Sequence, residues 1–219
     1  MNTMLEELDE LMDEGVGQGE TKPKPRPKPK AKPKPHTKIC IDAGHGLGNT
    51  KRGVYDPGAV KVVANDRFEE ADLALRYGRT LRKLLLAKGL RVFMTRTSCG
   101  DSAPVVKRTA MAIDAGCKGF VSIHLNAFKD ATANGVTVLY RDDTKDKPLA
   151  ERLQKALVAV TALKDRGTSK RTDLAVLKFK SGPAVVIELG FITNDNDRNF
   201  LIDGANRESI CNAIAGVLK

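Results

Sequence analysis

Three histidines occur in the 219 residues, and two of them sit where apolar runs end. KICIDAGHG places His45 just past one such run, and GFVSIHLNA places His124 at the end of another. PAVVIELGF ends a further run, Ala184–Ile187, on Glu188, where an unpaired carboxylate is costly. A second acid, Glu70, lies near the start of a long helical pattern. Two imidazoles and a carboxylate are a recurrent ligand set for catalytic zinc, with the fourth position left to water. A further carboxylate beside the metal can act as general base. Each component also has a structural reading. A histidine at a strand end can simply be hydrogen-bonded, and Glu70, with Glu69 beside it, can complement a helix dipole. Spacing alone leaves both readings open.

These side chains need a scaffold that brings distant positions together. Ile39–Ala43, Leu90–Thr95, Gly119–His124, Val136–Tyr140 and Ala184–Glu188 read as short buried strands. Helical periodicity runs over Asp66–Ala87 (Leu73, Leu75, Leu81, Leu84, Leu85), Pro104–Ala115, Leu149–Thr161 and Arg207–Leu218, with Gly89 and Gly116 as stops. Strands alternating with helices predict an α/β domain with a largely parallel sheet. In such sheets ligands bind outside the carboxyl ends of the strands. His45, His124 and Glu188 all fall on that edge, and the start of the long helix can bring Glu70 to it.

The chain suits one domain plus an appendage. Residues 1–20 carry seven acids and no base, whereas residues 21–38 carry eight bases and no acid. Met4, Leu5, Leu8, Leu11 and Met12 make one apolar stripe on a short acidic helix, a surface for a protein partner at residues 4–12. Residues 21–37 alternate Lys or Arg with Pro, which favours an extended spacer of roughly 3.1 Å per residue and adhesion to anionic wall polymers. The domain therefore spans residues 38–219. Its own basic charge suits a polyanionic partner. With aromatics at 5% and no Trp there is no stacking platform, which argues against nucleic acid. No apolar run is long enough for stable membrane insertion. Cys40, Cys99, Cys117 and Cys211 show no CxxC spacing and read as reduced. The first twenty residues lack the apolar stretch of a signal peptide, so the expectation is synthesis in the cytoplasm, with any action outside it following release or non-classical export.

IDAGHG followed by DPGA, then EADLAL, SIHLNA and VIELGF, in that order, resembles the zinc-dependent N-acetylmuramoyl-L-alanine amidase family of autolysins and phage endolysins. The resemblance covers the chain from about Lys38 onward. It implies a twisted, mostly parallel, six-stranded sheet flanked by helices, with the non-globular tail before it. By motif position, His45, Glu70 and His124 resemble the zinc ligands, and Glu188 resembles the catalytic glutamate. Arg108 matches an arginine ahead of the third motif; with Asn126, two residues after His124, it is assigned to the substrate side of the site. The implied reaction is hydrolysis of the peptidoglycan amide joining N-acetylmuramic acid to L-alanine by zinc-activated water, as in a phage endolysin. A catalytically inactive wall- or polyanion-binding protein and a zinc peptidase acting within the stem peptide are the alternatives. One departure stands out: Gly46–Asp56 separates His45 from PGA, and the insert LGNTKRGVY brings Lys51, Arg52 and Tyr55 to the rim.

Overall fold

The computed structural model describes residues 37–218. The acidic stripe at residues 4–12 and nearly all of the Lys/Pro segment lie outside them. In chain order the elements are β1 (Lys38–Ala43), β2 (Gly46–Leu47), β3 (Tyr55–Asp56), β4 (Val60–Val63), β5 (Asp66–Glu69), α1 (Glu70–Ala87), β6 (Arg91–Met94), α2 (Arg108–Asp114), β7 (Gly119–Asn126), β8 (Val136–Tyr140), α3 (Lys147–Val160), β9 (Asp165–Lys170), β10 (Ala184–Phe191), α4 (Asp195–Ile202) and α5 (Gly204–Leu218). Among the described residues, six strands form one sheet in the order β6-β1-β7-β10-β8-β9. All neighbours in it are parallel except β10 and β8. The mostly parallel α/β architecture is the one expected.

The strand period of two divides the core into two layers. Ile39, Ile41 and Ala43 of β1, Val121, Ile123 and Leu125 of β7, and Val185, Ile187 and Leu189 of β10 all point to one face. Leu73, Tyr77, Leu81 and Leu85 of α1 and Leu149, Leu153 and Leu157 of α3 cover it, together with Ile210 and Ile214 of α5. The alternate residues Cys40, Phe120, Ala184 and Val186 pack on the other face, under Ala112 of α2 and the single 3₁₀ turn at Ala175–Lys178. Asp42, Ser122, His124 and Glu188 share the parity of this second set. Toward the carboxyl ends of the strands, that face turns polar.

The expected helix over Asp66–Ala87 begins only at Glu70. Residues 66–69 instead form β5, antiparallel to β4, with Val60 opposite Glu69 and Val63 opposite Asp66. The reason is local. The amides of Glu70 and Ala71 donate to Ala59 O at 2.9 Å and Pro57 O at 3.0 Å, so the DPGA loop supplies the acceptors for the helix's first orphan donors. The helix expected from Pro104 likewise starts at Arg108, after a turn closed by Lys107 N–H donating to Pro104 O. β9 (DRGTSK) has no apolar residue to signal it; it is an edge strand, where a polar composition guards against further pairing. None of the described helices is long and apolar enough to cross a membrane.

The layer of α1 against the sheet should dominate stability. Leu81 is fully buried in it, so Leu81→Ala should lower the unfolding free energy by about 2–5 kcal/mol in urea titrations. A loss below about 1 kcal/mol would mean that the layer repacks around the cavity.

Candidate metal centre

His45 sits on the turn that leaves β1, with a left-handed φ of 59°. The turn is possible because of its neighbours. A Cβ on Gly44 would fall 2.3 Å from His124 Cε1, and one on Gly58 would fall 2.6 Å from Glu70 Oε2. Without side chains at these two positions the loops close onto the ligands. Glu70, the first residue of α1, then reaches both imidazoles: Oε2 lies 3.1 Å from His45 Nε2, and Oε1 lies 2.8 Å from His124 Nδ1. The backbone completes the carboxylate's shell, with Leu125 N–H donating to Oε1 at 3.1 Å and Ala59 N–H to Oε2 at 2.9 Å. The two rings stand edge to face, 5.1 Å between centroids.

One donor atom from each of His45, Glu70 and His124 lies within 4.8 Å of the others. Ligands placed tetrahedrally about 2.0–2.1 Å from a zinc ion stand roughly 3.3 Å apart, so the cluster needs little rearrangement to hold one. Glu69 is not part of it; its carboxylate accepts from Arg67 Nε and Tyr55 Oη near the surface. Glu188 lies directly across from His124 on the neighbouring strand. Its Oε2 is buried and has no hydrogen-bond partner among the described residues, an orphaned acceptor on a residue that lines the cleft. A cleft of about 190 Å³ opens over these groups, with Asn49, Arg108 and Asp42 as further polar lining and Val105, Leu174, Ala175 and Val176 as its apolar wall.

The model of the family described as N-acetylmuramoyl-L-alanine amidase matches residues 39–219. The chain belongs to that family. A probable cell wall amidase, LytH, of Staphylococcus epidermidis is 33% identical over 183 residues, covering 83% of this chain and 57% of that protein. The chain thus spans little more than half the length of the curated relatives it matches. Among solved structures, the N-acetylmuramoyl-L-alanine amidase from Clostridium difficile 630 superposes with a TM-score of 0.74 at 28% identity, covering 84% of this chain and 96% of that one. The catalytic domain of CwlV, an N-acetylmuramoyl-L-alanine amidase from Bacillus (Paenibacillus) polymyxa var. colistinus, gives 0.73 at 27%, covering 83% and 96%.

Two polar residues beside His45, Asp56 and Asn49, escaped the sequence reading. Asp56 Oδ2 lies 3.0 Å from His45 Nδ1 and also accepts from Asn49 Nδ2 at 2.6 Å. A ligating histidine needs an acceptor for its other ring nitrogen, and the aspartate of DPGA was the available signal. The long insert is what delivers it: β2 pairs with β3, setting Gly46 opposite Asp56. Two expected substrate residues are placed differently from the triad. Arg108 is 1% exposed, and its guanidinium donates to Asp42 Oδ1, Ala43 O and His45 O at 2.7–2.8 Å. From that position it braces the turn at His45 and also lines the cleft. Asn126 Oδ1 accepts from Ala127 N–H. Tyr55 is exposed and donates its hydroxyl to Glu69 Oε2 at 3.0 Å.

Charge inside the site is strongly coupled. Burial alone would depress His45, but the hydrogen bonds and charges of Glu70 and Asp56 raise it to about 9. Burial likewise opposes ionisation of Glu70, and His124 and His45 override it, holding the carboxyl well below the usual range. Glu188 moves upward because it is buried, with the charge of Glu70 adding to the effect against His124. The metal-free site therefore holds His45 protonated at neutral pH, and a metal must displace that proton. Metal affinity should climb as pH rises toward about 9, by about tenfold per pH unit for the His45 proton and more steeply where His124, also shifted upward by Glu70, loses its own. Competition titrations with a chelator from pH 6 to 10 check this; an affinity flat across that range would contradict it.

Proposed function

We propose that this chain hydrolyses the amide between N-acetylmuramic acid and the L-alanine of the peptidoglycan stem peptide, with a zinc ion held by His45, Glu70 and His124. The observation that carries the reading is the unpartnered, buried Glu188 Oε2 beside the His–Glu–His cluster in an open cleft. When bound, the zinc supplies Lewis acidity, acidifying water and polarising a carbonyl.

The chain's own residues account for the proton. Glu188 Oε2 accepts a proton from the attacking water as the new C–O bond forms at the lactyl carbonyl. Its upward-shifted pKa lets it keep that proton long enough to pass it to the amide nitrogen as the C–N bond breaks. The products are a carboxylic acid on the muramic side and a free alanine amine. Asp56 fixes the ring of His45 so that Nε2, not Nδ1, faces the centre. The apolar wall of Val105, Leu174 and Val176 suits the lactyl and alanine methyl groups and limits water entry.

Digestion of defined peptidoglycan, with and without chelator and followed by mass spectrometry, tests the reading. Stem peptides with a free N-terminal alanine should appear and should vanish with the chelator. Cleavage inside the peptide would indicate a peptidase, and no cleavage a binding protein. Glu188→Gln should keep the metal and lose about 10²–10⁴-fold in kcat. A variant that retained near wild-type kcat would remove Glu188 from the proton pathway.

A further inference from the structure

Two arginines are buried beneath the ligand turn, and they are balanced differently. Arg108 is paired with Asp42 at 2.7 Å. Arg96, also 1% exposed, has no carboxylate at ion-pair distance among the described residues. It follows β6 and reaches under β1, where its Nε–H donates to Ala43 O at 2.9 Å. Its Nη2 donates to Gly44 O and to Ala71 O, both at 2.7 Å, and Nη1 is buried without a partner. A buried guanidinium with no carboxylate in direct contact is a costly group to keep, and the charge of Asp42 acts on it only from farther off. An apolar side chain would fill the space more cheaply.

What such a side chain could not do is join these three carbonyls. Ala43 and Gly44 are the two residues before His45, and Ala71 is the residue after Glu70. One rigid planar group thus ties together the two segments that carry ligands. Arg108 adds the carbonyls of Ala43 and His45 to the same arrangement. The need for such bracing is visible in His45 itself, whose positive φ is held by its surroundings.

We propose that Arg96 is a positioning residue for the metal centre, setting the separation of His45 from Glu70 by clamping the carbonyls of Ala43, Gly44 and Ala71. The inference rests on the reading of the cluster as a metal site. A lysine cannot replace it, because a single ammonium on a flexible stem does not present donors in a fixed plane. Loss of the clamp leaves the ligands in place in the sequence and free to drift in space. Metal affinity then falls, because the ion must pay for ordering them.

The test uses the full chain and compares wild type with Arg96→Met, Arg96→Lys and Leu81→Ala. Zinc dissociation constants are measured by competition with a chromophoric chelator, and the visible spectrum of the cobalt-loaded protein reports ligand geometry. Both Arg96 variants should bind zinc about 10–100-fold more weakly and show a shifted cobalt spectrum. Leu81→Ala, about three turns along α1 from Glu70, should lose thermal stability while keeping wild-type affinity and spectrum. If Arg96→Met does not fold, Arg96→Lys carries the comparison. Folded Arg96 variants within about twofold of wild type, with an unchanged cobalt spectrum, would overturn the clamp; so would an equal loss in Leu81→Ala. A wild-type protein that takes up no zinc is a different result, and it overturns the metal reading itself.

Discussion

The two oxygens of Glu70 are met by four residues from three places in the chain: His45 after β1, Ala59 in the DPGA loop, and His124 and Leu125 on β7. A buried carboxylate tolerates its position only when its lone pairs are satisfied, and here the partners come from three separate segments of the chain. The requirement propagates outward. Helix α1 must begin at residue 70, the DPGA loop must fold back to cap it, and β1 must lie next to β7. Glycine at 44 and 58 follows from the same crowding.

A second constraint lies one layer down. Asp42 accepts from Thr95 Oγ1, Ser122 Oγ and Arg108 Nη1 at 2.6–2.7 Å, and all of it is buried. Burial opposes the charge on Asp42, and the Arg108 guanidinium together with the hydrogen bonds from Ser122 and Thr95 more than offsets it, drawing the carboxyl below its ordinary range. This polar stack occupies the face of the sheet that packs Cys40, Phe120 and Ala184 nearer the amino ends of the strands. The transition from apolar to polar on a single face marks where the scaffold ends and the site begins. A low-dielectric floor beneath the cluster also strengthens the electrostatics above it.

Much of this was legible in the order of residues, for physical reasons that can be named. Apolar runs that stop on His124 and Glu188 announced strands whose next exposed position was polar. Period-two alternation put both on one face, and the parallel sheet put them on one edge. The choice of Glu70 over Glu69 was not settled by helix periodicity alone, because the pattern extended back to Asp66. It depended on where the DPGA loop supplied carbonyls to the first helical amides, a tertiary fact. Asp56 was quoted within a motif without being assigned a task; its task appears only when β2 and β3 pair. The polar edge strand β9 and the capped helix α4 carried too few apolar residues to be found by periodicity. Arg96 lies in no apolar pattern at all, and nothing local distinguishes a buried arginine from a solvated one.

The central claim is that His45, Glu70 and His124 coordinate one zinc ion while Glu188 stays free for proton transfer. X-ray absorption at the zinc edge of the loaded protein tests it most directly. The account predicts a first shell of nitrogen and oxygen only, at about 2.0–2.2 Å, with the outer-shell scattering of two imidazoles. A shell containing sulfur, or one of oxygen alone without imidazole scattering, would contradict it.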